Sequence, residues 1–262
     1  MVAKYFKILK MYLYIGKKSM MEYLGSNIIQ IVISLINTSV WIVFWSIFFN
    51  KFSNTTYWKF EYIFLIWTSL SLGLCLLGGF FGNVREMTEM ICDGRIEFFM
   101  LHPLPTFFHL FIANPDISEL IEGGIWIIVY AIYVKSVEEF VIFLVISILI
   151  CILLLGYLTI LGGLSFFVRM TQGFVDEVFN FLITFSTYPY YIFNKFVKTI
   201  LFTLIPAGFI SYVPVQILFT GQKFWLLILG TVAISLLFFG ILICNIGIKK
   251  YEGMSQLGQK GK

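Results

Sequence analysis

Residues 140–168 read FVIFLVISILICILLLGYLTILGGLSFFV, a run with no Asp, Glu, Lys or Arg. A helix of about 20 residues crosses the roughly 30 Å hydrocarbon core of a bilayer, and this run exceeds that length. Lipid offers no partner for backbone N–H and C=O groups, so such a run must satisfy them internally, as a helix does. The whole chain shares its character. Of 262 residues, 60% are hydrophobic, 19% aromatic and only 12% charged, with a mean hydropathy of +0.93. Soluble domains carry about 25% charged residues; half of that leaves too little polar surface for a water-soluble globule. The composition predicts an all-α integral membrane protein.

Five further spans follow outward from that run: residues 27–49, 60–81, 120–134, 174–193 and 224–248. The second ends on Gly73, Gly78, Gly79 and Gly82, which permit close helix approach. Residues 195–222 are apolar but broken by Pro206, Gly208, Pro214 and Gly221 into pieces too short to cross, which predicts a re-entrant or interfacial hairpin. The first 25 residues form an amphipathic interfacial helix. Its Lys4, Lys7, Lys10, Lys17 and Lys18 share one arc, opposite Tyr5, Ile8, Leu9, Tyr12 and Ile15. These lysines interrupt any apolar core, so no cleavable signal peptide is expected.

Six spans put both termini on one side. Twelve Lys and Arg residues, Arg169 among them, fall on that side; Lys51, Lys59, Lys135, Lys195, Lys198 and Lys223 fall on the other. The positive-inside rule makes the first side cytoplasmic. The net charge of +4 then serves orientation and contact with anionic membrane lipids, and no nucleic-acid partner is expected. Cys75, Cys92, Cys151 and Cys244 are scattered and read as small apolar residues, with no metal or disulfide spacing.

Signatures of catalysis fail on inspection. Gly16-Lys17-Lys18-Ser19 lacks the leading glycine of a phosphate-binding loop, since position 11 is Met11, and a second lysine follows the first. Gly163-Leu164-Ser165 lacks a histidine at membrane depth, because His102 and His109 lie in the polar loop; helix packing explains Gly162 and Gly163. Glu61, Glu119, Glu122, Arg169, Asp176 and Glu177 fall near span ends. An ion-coupled carrier, the alternative reading, would have to rely on Glu122, just inside the third span.

The informative interruption is residues 83–115, NVREMTEMICDGRIEFFMLHPLPTFFHLFIANP. Residues 84–93 have helical character, Gly94 stops the helix, and a second short segment over 96–101 ends before Pro103. Arg85, Glu86, Glu89, Asp93, Arg95 and Glu97 surround the apolar Met87, Met90, Ile91, Phe98 and Phe99. This composition suits either a solvated linker or a docking surface whose apolar anchors enter a partner's groove while charges set register.

The stretch Asp93-Gly94-Arg95-Ile96-Glu97-Phe98-Phe99-Met100-Leu101-His102-Pro103 resembles the coupling loop of ABC-2 type permeases, in the branch with paired permeases beside one ATPase. Two further stretches agree in order and spacing: Tyr188-Pro189 with Ile205-Pro206-Ala207-Gly208-Phe209-Ile210-Ser211-Tyr212-Val213-Pro214, and Gly247-Ile248-Lys249-Lys250-Tyr251-Glu252. His102 stands where that family usually has Arg or Lys; histidine can be partly charged near neutral pH. The resemblance implies a single permease domain over residues 1–262, in the cell membrane of a bacterium. It implies six spans and an extracellular hairpin at 195–222. Its partners would be a dimer of cytoplasmic ATPase subunits, which would bind ATP and Mg, and a second permease subunit, a paralogue or an identical copy. No cofactor would be bound by this chain. ATPase coupling would fall to Arg85, Glu86, Glu89, Asp93, Gly94, Arg95 and Glu97. A path lined by Trp41, Trp45, Trp67 and Tyr188 would suit export of an amphipathic or hydrophobic drug, peptide or lipid-like molecule; interfacial aromatic belts explain the same residues.

Overall fold

In the computed structural model, two parallel helices lie against each other through glycine. Helix α8 (Val137–Leu164) and helix α13 (Phe224–Gln259) form the most extensive helix pair of the fold. A Cβ added at Gly156 would lie 2.5 Å from the backbone N of Leu237, and one at Gly163 2.6 Å from Cys244 Sγ. From the other side, Cβ atoms at Gly240 and Gly247 would lie 3.0 Å from Thr159 and 2.4 Å from Phe166. Both glycine pairs are seven residues apart, which keeps them on one face of each helix. Inside a bilayer, helices attract mainly through such close fit. Where the two helices start, Glu138 in the first turn of α8 pairs with Lys223, the residue before α13.

The structure describes residues 2–52, 59–134, 136–168 and 170–259, and no strand occurs among them. Lys135, Arg169, most of the polar turn at 50–59, and Lys260 and Lys262 lie outside the described residues, as do the side chains of 2–4, 52 and 252–259. Around the α8–α13 pair stand α1 (Val2–Glu22), α2 (Leu24–Phe52), α3 (Phe60–Phe81), α7 (Ile117–Tyr133) and α9 (Gln172–Ser186). Side-chain caps start two of these: Asp116 accepts from the N–H of Ser118, and Thr171 from that of Phe174.

Helix α3 is held on two sides by its glycines. A Cβ at Gly73 would meet Ile150 of α8, and Cβ atoms at Gly78 and Gly79 would meet Glu119 and Leu120 of α7. Helix α7 runs antiparallel to α3, from Gly82 beside Asn114 up to Phe64 beside Tyr133, whose rings lie 4.5 Å apart. Helix α2 is also antiparallel to α3, with Trp41 stacked on Trp67 and Trp45 clustered with Ile63 and Ile66.

Among the described residues, four helices are long and apolar enough to cross a membrane: Leu24–Lys51, Phe60–Cys92 with its short extension, Val137–Leu164 and Phe224–Tyr251. A fifth candidate is the pair Lys195–Thr203 and Ala207–Phe219, bent by 97°. The other two expected spans are shorter: α7 has 17 residues, about 26 Å, and α9 has 15, about 23 Å.

Two local differences from the sequence reading have simple causes. The loop at 83–115 holds a further helix, α6 (Thr106–Ile112), started by Pro105, besides the expected α4 (Met87–Cys92) and α5 (Ile96–Met100). The tail after Lys249 continues α13 as helix to Gln259, since no proline interrupts it. The segment expected as a hairpin comprises α10 (Lys195–Thr203), α11 (Ala207–Ser211) and α12 (Val213–Phe219), with Pro206 and Pro214 at helix starts where a missing N–H costs nothing. Tyr62–Phe219 and Tyr212–Trp225 contacts put it at the bundle end opposite α4.

Replacing Gly156 by Leu should drive α8 from the α13 backbone. Overpacking of this kind costs about 1–3 kcal/mol or more, read as a lower unfolding midpoint in detergent. Gly124→Ala, where nothing lies within 4 Å, should leave the midpoint unchanged.

Candidate functional site

The residues at 82–101 form a short helical lever at one end of the bundle. After Phe81 the chain makes a 3-10 turn over Gly82–Val84, then α4, then a reversal at Gly94 with φ +75, then α5. A side chain at that φ would be strained, so Gly94 is required by the turn. The amphipathic pattern then decides which residues face in. Met87, Met90, Ile91, Ile96 and Phe99 are buried, which removes Met87, Met90, Ile91 and Phe99 from the expected docking anchors. Phe98 is 57% exposed and Leu101 85%, leaving these two as the apolar prongs. Leu101 was not singled out by the sequence, because its exposure depends on where Pro103 ends the segment.

Around the prongs, Glu86, Glu89, Asp93, Arg95 and Glu97 are exposed. Arg95 lies 3.1 Å from Glu89 and 3.6 Å from Asp93, so it straps α4 across the Gly94 turn. An exposed strap of this type contributes about 0–1 kcal/mol, so its effect is orientation. The surface is net acidic.

The same lever is fixed to four bundle helices. Arg85 reaches Glu119 of α7 at 3.1 Å. A Cβ at Gly162 of α8 would meet Met87, and Ser165 donates to Thr88 at 3.2 Å. Gln172, the first residue of α9, uses both ends of its amide: Nε2 donates to the Arg85 carbonyl at 2.6 Å and to Asp176 at 2.8 Å, while Oε1 accepts from the Glu89 N–H at 3.2 Å. Tyr251, near the end of α13, donates its hydroxyl to Glu97 at 2.8 Å. Of the expected residues, Arg85 and Glu97 therefore face the bundle's own helices at least in part, and Glu86, Asp93 and Arg95 face outward. Gln172 and Glu119 were missed as lever partners because only tertiary contact brings them there. Tyr251 was visible only as part of the third sequence motif, which the fold joins to the first.

Helix α1 is latched beneath this region. Ile8, Leu9 and Tyr12 pack on the core, Tyr5 meets Phe108, and the Tyr12 hydroxyl is bonded to His109 Nε2. His109 is buried, its Nδ1 has no partner, and the His102 ring lies 5.1 Å away. Burial, and after it the nearby His102, hold His109 below the ordinary histidine range.

At the other end of the bundle the four aromatic residues named from sequence come together. Trp41 stacks on Trp67 at 5.5 Å, and Tyr188 lies 6.4 Å from Trp41 and 6.2 Å from Trp45. Their rings form a packed cluster with Phe49, Ile63 and Ile66. The indole N–H groups of Trp45 and Trp67 are buried without an acceptor. Glu122 accepts from the Ser34 hydroxyl at 2.5 Å and from the Trp126 N–H at 3.4 Å, so it ties α7 to α2. Cys75, Cys151 and Cys244 are buried as expected, whereas Cys92 is exposed beside the Met170 carbonyl.

A family model described as ABC-2 family transporter protein matches residues 35–255. No curated protein and no solved structure matches the chain. The match spans most of the sequence, and the chain belongs to the ABC-2 transporter family, as its three motifs suggested. It is accordingly a multi-pass membrane transport component, of a kind that generally has no ATPase of its own.

Gln172→Leu should release the Arg85 carbonyl and Glu89 amide, at a cost of about 1–3 kcal/mol; faster hydrogen exchange of the α4 amides would register it, and an unchanged rate would refute the clamp. Acid should loosen the α1 latch. Below the ordinary histidine value of about 6.5 the unfolded chain binds a proton that folded His109 resists, so stability falls as pH falls. The unfolding midpoint should drop from about pH 7.5 to about pH 5.5 more in the wild type than in His109→Gln, which keeps a partner for Tyr12 but does not titrate.

Proposed function

We propose that this chain is the permease subunit of an ATP-binding-cassette exporter, driven by separate cytoplasmic ATPase subunits that bind ATP and Mg. The observation that carries this is the lever at 82–101. Its outer surface presents an acidic ring around Phe98 and Leu101, while its inner side is bonded to α7, α8, α9 and α13. A partner that grips Phe98 and Leu101 and pairs with Glu86, Glu89 and Asp93 would move four helices by moving one segment. Closure of an ATPase pair supplies such a displacement, and packed helices transmit it as rigid bodies.

Six spans fit the geometry. Helix α7 runs alongside α3 from Gly82 to Phe64, and α3 is one of the long apolar helices. Helix α9 with residues 187–188 reaches from the lever at Gln172 to the aromatic cluster at Tyr188. In this reading the lever and both termini face the cytoplasm, and the hairpin α10–α12 faces outward. The expected second permease subunit would cover apolar faces on α2, where Ile29, Ile33, Val40 and Ile47 are each about 60% exposed.

An amphipathic or hydrophobic cargo suits the aromatic cluster. The unmet donors of Trp45 and Trp67 favour a cargo that also carries a hydrogen-bond acceptor. Glu122, engaged by Ser34 and Trp126, is an interhelical anchor in this reading, which weighs against an ion-coupled carrier.

Purified alone, the chain should hydrolyse no ATP; co-expressed with its ATPase, it should retain that subunit through affinity purification. The double variant Glu86→Lys/Glu89→Lys should lose the ATPase, and Phe98→Ala should weaken retention by more than about 1 kcal/mol, as removal of a buried interface anchor does. Undiminished retention and transport in both variants would sink the coupling role.

A further inference from the structure

A cavity of about 490 Å³ opens beside α10, lined by Tyr190, Lys195, Lys198, Thr199, Phe202 and Thr203. Spacings of three and four residues put Lys195, Lys198, Thr199 and Phe202 on one face of the helix. Tyr190 forms the facing wall. The Lys198 Nζ lies 4.5 Å from its ring centroid and 5.7 Å from that of Tyr191. Edge contacts from Phe202 at 5.5 Å hold the Tyr190 ring, and Tyr212 lies 5.0 Å from it, so the wall is set by packing.

Charge in this groove is uncompensated. Among the described residues no carboxylate pairs with Lys195 or Lys198, and Glu138 of the same bundle end is taken by Lys223. The Thr199 and Thr203 hydroxyls donate to backbone carbonyls at 3.1 and 2.8 Å, so the donors that α10 turns to the cavity are the two ammonium groups. Exposed apolar side chains flank the site in sequence: Ile192 at 63%, Phe196 at 73% and Leu204 at 70%. Two point-charge donors one turn apart, with no arginine fork, suit the several oxygens of a phosphate better than a planar carboxylate. The apolar flank suits an attached hydrocarbon.

We propose that this groove binds a phosphate-bearing anion, with the headgroup of an anionic amphiphile as its source in the membrane. The proposal rests on the reading above only in placing the hairpin at the outer surface. Bound there, the anion would tie α10 and the 190–192 turn together, beside the aromatic cluster through Tyr190, which belongs to both.

The test uses the full chain in detergent. It is incubated with phosphatidylglycerol, phosphatidylcholine or inorganic phosphate, and bound ligand is counted by native mass spectrometry. The variants are Lys195→Gln/Lys198→Gln, the charge-restoring Lys195→Arg/Lys198→Arg, and Lys59→Gln as an exposed lysine at the same bundle end. Wild type should retain phosphatidylglycerol above phosphatidylcholine, and the glutamine double variant should lose about tenfold or more, as two lysines near an anionic headgroup would give. Arginines should restore retention, and Lys59→Gln should not reduce it. Inorganic phosphate retained with the same lysine dependence, in place of the lipid, would support the site and assign the free ion as its source. Equal retention by wild type and the glutamine variant, or an equal loss in Lys59→Gln, would overturn the proposal. An unchanged unfolding midpoint guards against misfolding, since glutamine keeps the helix propensity of lysine. ATPase retention is scored separately: its failure in wild type would remove the coupling role while leaving the lipid count to decide this site.

Discussion

Between helices in hydrocarbon, no water is released to drive association, so attraction comes from surface fit and hydrogen bonds. In this protein that fit is made by glycine, at Gly156 against the α13 backbone and elsewhere mainly against side chains. Gly156 and Gly163 on α8, with Gly240 and Gly247 on α13, allow the two helices to run parallel in close contact along much of their length. Gly73, Gly78 and Gly79 do the same for α3 between α8 and α7. The remaining elements take their positions from this frame. The α10–α12 segment rests where α3 and α13 begin, and the lever rests where α3 and α8 end.

Because the frame is closely packed, the placement of contacts at its end matters more than their individual strength. The hydrogen bonds of Gln172 and Tyr251 to the lever are each worth about 1 kcal/mol in isolation. Their consequence is geometric: they join α4 and α5 directly to α9 and α13. The lever's outward face is correspondingly spare, two apolar prongs in an acidic ring. The division between an inner bonded side and an outer free side follows from one glycine, since Gly94 turns α5 back so that Glu97 meets Tyr251.

Much of this was legible in the sequence, for physical reasons that can be named. Apolar runs report membrane helices directly, and the boundaries of α1, α4 and α5 followed from lysine periodicity, Gly94 and Pro103. The fifth span was read longer than helix α9, because apolar composition continues past Ser186 into the turn at Pro189, whereas the third was read shorter than α7, which the Asp116 cap starts already at Ile117. Met87 and Phe99 were read as exposed anchors because an amphipathic pattern states that one face is buried without saying against what.

What the sequence determined by itself was the solvent, the class and the family. Charge scarcity and run length need no partner to be meaningful, and the motifs at Gly94, Pro206 and Tyr251 are local patterns. What only the tertiary structure decided was pairing. That Gln172 holds the Arg85 carbonyl, that Tyr251 meets Glu97, and that Trp41, Trp45, Trp67 and Tyr188 share one cluster depend on residues distant along the chain. The lysines of α10 are as plain in sequence as those of α1. Their isolation from any carboxylate, among the described residues, becomes visible only when the fold brings Tyr190 over one side and places Glu138 with Lys223. Periodicity specifies a face; contact between distant segments specifies what that face does.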